Sequence, residues 1–357
     1  MFKLKEKNNL EYLWVCAKLG IGVFAYRLAL DVIGNGLTLL VMAIQMVSPM
    51  DADTIAIINY CIQIVYSVFA FVFGAAIVLL LLNIGKKRNF RPMYMGFGKP
   101  LLAPFFIVAT VGMNFAISRL NQMFMSLISS DSLGAINELL GVGTRQMGIA
   151  EIILLFISTA IIPAIVEELM FRGIVLANLI PYGRGMAIIT SALLFGLMHK
   201  NPQQFFYATI MGVAIGLVYV MTRSIWICMI THFLNNGLAV LQAVMYGRME
   251  AEVADKLSAM MDITMVILAA VSLAILLGVY AFKRKNAPEE GGSFGRIYEP
   301  SYSYEERRVS RGGKVLLFFN PSTSAFTLWT LSSMVGAMGA MVVLGIIMGF
   351  LMGGVLI

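Results

Sequence analysis

Long apolar runs separated by short polar stretches recur down the chain, near residues 13–48, 55–84, 101–128, 148–180, 185–200, 204–222, 225–246, 263–282 and 323–356. A bilayer core takes ~20 apolar residues in a helix, so the pattern predicts an all-α, polytopic transmembrane bundle of about eight to nine spans. The first run exceeds one straight span and holds Arg27 and Asp31, so it reads as an interfacial helix leading into a span. The i, i+4 spacing of that pair marks it as interfacial or structural. The runs divide the chain into a two-span segment (1–99), a central helix bundle (100–246), an eighth span (247–282), a polar loop (283–315) and a last span (316–357).

Composition closes off other classes. Of 357 residues, 59% are apolar and 13% charged, too few charges to clothe a soluble domain. The formal charge of +7 invites a nucleic-acid reading, but the basic residues cluster in loops between apolar runs. That distribution belongs to a membrane protein, with no nucleic-acid partner. With the amino terminus in the cytoplasm, Lys3, Lys5, Lys7, Lys86, Lys87, Arg88, Arg91, Arg184, Arg223 and the Lys283–Lys285 cluster all fall inside. The stretches 129–147 and 247–262 carry more acid than base and fall outside. Cys16, Cys61 and Cys228 lie in apolar runs with no metal spacing, so they read as buried thiols. Residues 283–315 read as a flexible cytoplasmic loop, and Gly345, Gly349 and Gly353 give the last span a small-residue packing face.

Ionisable groups inside spans are expensive and need a reason. They concentrate in the middle of the chain, at Glu167, Glu168 and Arg172, at His199, and at His232, followed by Asn236. The chain has just 2 histidines, and both are in this set. A turn near Tyr182 and Gly183 makes a hairpin of the fourth and fifth runs. At 1.5 Å per residue, Glu167 and His199 then lie at one height, roughly 23–25 Å from the turn. Glu168 and Arg172 at i, i+4 can pair, leaving Glu167, about 100° around the helix, to face a cavity as a base. His232 and Asn236 share one face a turn apart. Pro163 interrupts the ladder just before the acids and can open the helix there. A polar cluster that merely locks helices together is the competing reading of the same residues.

Three segments, Glu167-Glu168-Leu169-Met170-Phe171-Arg172, Phe195-Gly196-Leu197-Met198-His199 and His232-Phe233-Leu234-Asn235-Asn236, occur in order at the ends of apolar helices. In these the sequence resembles the CAAX prenyl-protease and bacteriocin-processing family, also called Abi or CPBP, over roughly residues 100–245. The resemblance implies an intramembrane endopeptidase acting on a membrane-associated peptide or protein, in peptide maturation or immunity. It further implies that Glu167, helped by His199, activates a water, and that His232 and Asn236 donate to the oxyanion. Glu168 and Arg172 would hold the site in shape. A zinc ion held by Glu167, His199 and His232 stays open, but metal-free catalysis is favoured: there is no His-Glu-x-x-His helix, and Asn236 has a task only as a donor. Two other classes stay in view, a proton-coupled transporter using Glu167 and His199 as a relay, and a catalytically silent membrane scaffold. No second copy of the Glu-Glu segment suggests the repeats such transporters carry.

Overall fold

The computed structural model describes residues 2–83, 95–96, 101–128, 147–199 and 202–285. Every regular element among them is helical: α1 (Phe2–Val47), α2 (Ala52–Asn83), α3 (Ala103–Ile128), α4 (Ile149–Leu179), α5 (Arg184–Met198), α6 (Pro202–Thr222), α7 (Ile225–Arg248) and α8 (Ala251–Lys285). All but α5 are long and apolar enough to cross a bilayer, 7 among the described residues. The protein is an integral, multi-pass membrane protein. The ninth apolar run, with its glycine face, and the polar loop from residue 286 onward lie outside the described residues.

Three expectations change. The first run is not an interfacial helix followed by a span. It is one continuous helix of 46 residues with no proline to break it, and its internal Arg27–Asp31 ion pair lets the helix run through. The eighth span starts at Ala251, so the expected loop 247–262 shrinks to a break at Met249 and Glu250. Its acids are spent on helix-compatible contacts: Glu252 with Lys256, Asp255 with the Tyr246 hydroxyl, and Asp262 with Arg119 and Gln242. Cys16 and Cys228 are buried as expected, but Cys61 is exposed on α2.

α5 is short for a physical reason. Its 15 residues rise ~22 Å, against ~30 Å for a bilayer core. It follows a tight corner at Gly183, whose φ of 138° is open to glycine and strained for other residues. At the other end its last carbonyls need partners that lipid cannot offer. Arg27 of α1 supplies one, donating from Nη1 to the Met198 carbonyl at 2.7 Å. The turn before α7 falls at Arg223 and Ser224, where the Ser224 hydroxyl caps the helix by accepting from the Ile227 N–H.

α1 packs along α2, α3 along α8, and α5 along α6, while α7 lies against α3, α4 and α6. At the α3–α8 seam a glycine meets backbone most closely: a Cβ at Gly112 would stand 2.1 Å from the Met265 carbonyl oxygen. Backbone cannot swing aside as a side chain can, so Gly112→Ala must push the two helices apart. We expect a loss of ~1–3 kcal/mol, read as a lower melting temperature in detergent. Gly36→Ala, where nothing lies within 4 Å, should melt at or slightly above wild type. Equal melting of Gly112→Ala and wild type would show that the seam is looser than drawn.

Candidate active site

The site begins with two irregular turns in α4. Proline lacks an N–H and its ring collides with the carbonyl four residues earlier, here Thr159. The helix takes up the misfit in a π-helical turn at Ile157–Ile161, closed by the Ile162 N–H donating to the Ile157 carbonyl. In a regular helix residue 163 would donate to the Thr159 oxygen. In its place the Asn236 amide of α7 donates to it, at 3.0 Å. A short α-helical piece, Ile162–Glu168, then carries both glutamates, and a second π-helical stretch, Leu169–Leu176, carries Arg172. Such wide turns inside α-helices recur at functional sites.

Glu168 and Arg172 pair as their spacing predicts: Arg172 Nη1 donates to Glu168 Oε1 at 2.6 Å, with both side chains essentially sealed from solvent. Arg172 also donates from Nη2 to the Gly212 carbonyl of α6, and its guanidinium carbon lies 4.9 Å from the Phe195 ring centre. The same Glu168 oxygen meets Nδ1 of His232 at 2.7 Å. Glu168 is thus the hub of an arginine–carboxylate–imidazole chain. Glu167 points elsewhere, with 22% of its side chain exposed, and its Oε2 stands 3.9 Å from His232 Nε2.

His199 ends α5, and its Nδ1 lies 3.0 Å from the Phe195 carbonyl. A carbonyl can only accept, so Nδ1 carries the proton and Nε2 is the unprotonated nitrogen. Glu168 Oε1, which already accepts from Arg172, serves as acceptor for His232 Nδ1 in the same way, which assigns the same tautomer to His232. Phe195 stands edge-on to both rings, 5.1 Å from His199 and 5.9 Å from His232 between centres. Both histidines are therefore anchored through Nδ1 and present Nε2.

The structure gathers the residues marked in sequence but pairs them differently. No hydrogen bond or ion pair joins Glu167 to His199; the imidazole beside Glu167 is that of His232. Straight-helix arithmetic gave Glu167 and His199 a common height and took no account of the π-helical stretch Leu169–Leu176 between them. Asn236, expected to be free as an oxyanion donor, has one amide N–H committed to Thr159 and accepts from Asn235 at 3.1 Å. Sequence reasoning missed Arg27, Thr159, Gly212 and Asn235. Three of these act through groups far along the chain and carry no local signal, whereas Asn235 lay inside a quoted motif. As to a metal, the Nδ1 anchoring resembles that of zinc-binding histidines. Yet among the described residues no three histidine, cysteine, aspartate or glutamate side chains are placed to hold one ion. The donor set as it stands does not fit zinc.

Residues 149–238 match the family model described as type II CAAX prenyl endopeptidase Rce1-like. That segment contains all three motifs. The chain is also 25% identical over 188 residues, 50% of its own length and 71% of the relative's, to YdiL of Bacillus subtilis (strain 168), provisionally named a membrane peptidase. No solved structure matches the chain.

The buried pair should be costly to break on one side. Glu168→Gln leaves the Arg172 guanidinium charged, buried and without its carboxylate, an expected loss of ~3–5 kcal/mol. Glu167→Gln, at a partly exposed position without a close ionic partner, should melt within about 1 kcal/mol of wild type. Thermal melting of both variants in one detergent separates them, and a Glu168→Gln protein as stable as wild type would dismiss the hub.

Proposed function

We propose that this chain is an intramembrane endopeptidase that hydrolyses a peptide bond of a membrane-associated peptide or protein, with Glu167 as the base. The observation that carries the reading is the contrast between two adjacent carboxylates. Glu168 is locked between a guanidinium and an imidazole, while Glu167 keeps 22% of its side chain exposed and stands 3.9 Å from His232 Nε2. The match of residues 149–238 to a CAAX endopeptidase family supports the reaction class. We place the amino terminus in the cytoplasm, on the distribution of lysine and arginine between loops.

In this mechanism a water sits between Glu167 and His232, in a gap too wide for a direct hydrogen bond. Glu167 takes one proton as the water oxygen adds to the scissile carbonyl. His232, whose Nδ1–H is pinned by Glu168, accepts the water's other hydrogen and orients its lone pair. The second N–H of Asn236, which Thr159 does not use, donates to the developing oxyanion. The carbon–nitrogen bond then breaks as Glu167 passes its proton to the leaving amine. His199, set by Phe195 and by Arg27 behind α5, lines the substrate side with its free Nε2. No step passes through a metal.

Glu167→Gln keeps the shape of the side chain and removes the base, so turnover should fall ~10²–10⁴-fold at unchanged melting temperature. The decisive comparison is membrane-peptide proteomics of cells expressing wild type or Glu167→Ala at equal level. Peptides should be lost from the Glu167→Ala sample, and identical profiles would refute the protease reading. Once a cleaved peptide is in hand, a chelator should leave its cleavage rate unchanged. Loss of activity with chelator, restored by zinc, would replace the metal-free mechanism and keep the protease.

A further inference from the structure

A second polar feature lies outside the catalytic cluster. A cavity of about 200 Å³ opens between α3, α6, α7 and α8, lined among others by Asn114, Ser118, Arg119, Asn235, Gln242 and Asp262. Its polarity contrasts with the apolar groove between α3, α6 and α8. The lining grades from open to sealed. Tyr246, near the end of α7, is 43% exposed, whereas Asn235 and Asn114 are 3% and 0% exposed. Along α7, Tyr246, Gln242, Ala239 and Asn235 follow one another at helical spacing down one side, and His232 comes one turn further on. At 1.5 Å per residue, the row from Tyr246 to Asn235 covers ~16 Å, and His232 lies ~5 Å beyond.

The polar groups at the mouth satisfy one another. Arg119 bonds Asp262 and Ser258, and Gln242 donates to both Asp262 and Ser258. At the floor they do not. Asn235 Oδ1 accepts from Tyr207 and from Asn114, but Asn114 Oδ1, fully buried, has no hydrogen-bond partner among the described residues. A buried acceptor without a partner costs ~1–3 kcal/mol, and a cavity of this polarity offers it a small hydrogen-bond donor. At ~30 Å³ per molecule, the volume takes about six waters.

We propose that this cavity is the water supply of the site: a hydrated passage from the Tyr246 end of α7 to the Asn235–Asn236 step beside His232. The proposal rests on the protease reading for its purpose, because hydrolysis consumes one water per turnover and the lipid-facing sides of the bundle offer none. Asn235 is the step between the two compartments. Its oxygen faces the cavity partners Tyr207 and Asn114, and its amide donates to Asn236. Arg119 and Asp262 keep the mouth polar and paired.

The test reads water entry first, without reference to cleavage. In the full chain carrying Cys61→Ser, with Cys16 and Cys228 left buried, Ser118→Cys places a thiol in the cavity wall. Methanethiosulfonates react with thiolate, which forms where water reaches. Ser118→Cys should be modified by the charged sulfonatoethyl reagent, whereas Ala214→Cys, in the apolar groove between α3, α6 and α8, should not. An unmodified Ser118→Cys, or equal modification at both sites, overturns the passage even if the protein cleaves nothing. On a cleaved peptide, Ala239→Leu, which fills the cavity from α7, should lower kcat at least tenfold with KM and melting temperature unchanged. Ser118→Leu, filling it from α3, should do the same and serves if Ala239→Leu folds poorly. Full-rate turnover by either folded variant removes the supply role, while loss of all activity in wild type removes the protease reading and leaves the labelling result standing.

Discussion

Everything near the centre of this molecule depends on one charged contact held away from water, that between Glu168 and Arg172. A guanidinium and a carboxylate inside a bilayer are tolerable only as a pair with further hydrogen bonds. Here the extra bonds run in two directions, to Gly212 on α6 and to His232 on α7. The pair therefore does more than neutralise itself. It ties three helices at one depth and fixes the proton on His232 Nδ1, so the imidazole offers Nε2 to its neighbour. Phe195 of α5 lies beside the guanidinium and both histidine rings, which brings a fourth helix to the same point.

The ends of α5 show how the bilayer shapes the site. A helix that stops within the apolar layer must have its last carbonyls satisfied by protein. Arg27 reaches the Met198 carbonyl from α1, one residue before His199. The N-terminal helix is thereby a part of the support for the site, although it lies outside the segment that matches the protease family. A charged pair on α1 that looks like a surface feature in sequence is, in space, the brace behind a candidate catalytic histidine.

Much of this was legible beforehand where the signal is local. Apolar runs gave the helices of the central bundle, Gly183 gave the corner, and the i, i+4 spacing gave the Glu168–Arg172 pair. What failed to read through was whatever depends on the helix departing from 3.6 residues per turn, or on a partner far along the chain. That His232 stands beside Glu167 did not read through, because the height of α7 against α4 is set by packing between distant segments. The commitment of Asn236 to Thr159 could not be seen, because Pro163 announces a break but not which distant side chain fills it. The start of α8 was placed late because its acids look like a loop until Arg119, Gln242 and Tyr246 are brought beside them.

The π-helical turn at Ile157–Ile161 has a consequence for how such a chain can vary. A turn closed by i→i+5 bonds holds one more residue than an α-helical turn over the same stretch. Everything after it on α4 is therefore phased by that one residue, and the two carboxylates take their opposite duties from it. Removing a single residue before Pro163 would rewind the helix and turn the Glu167–Arg172 segment by ~100°, carrying Glu168 away from His232. Substitutions along this stretch change packing by degrees; a one-residue deletion exchanges one face of the helix for another.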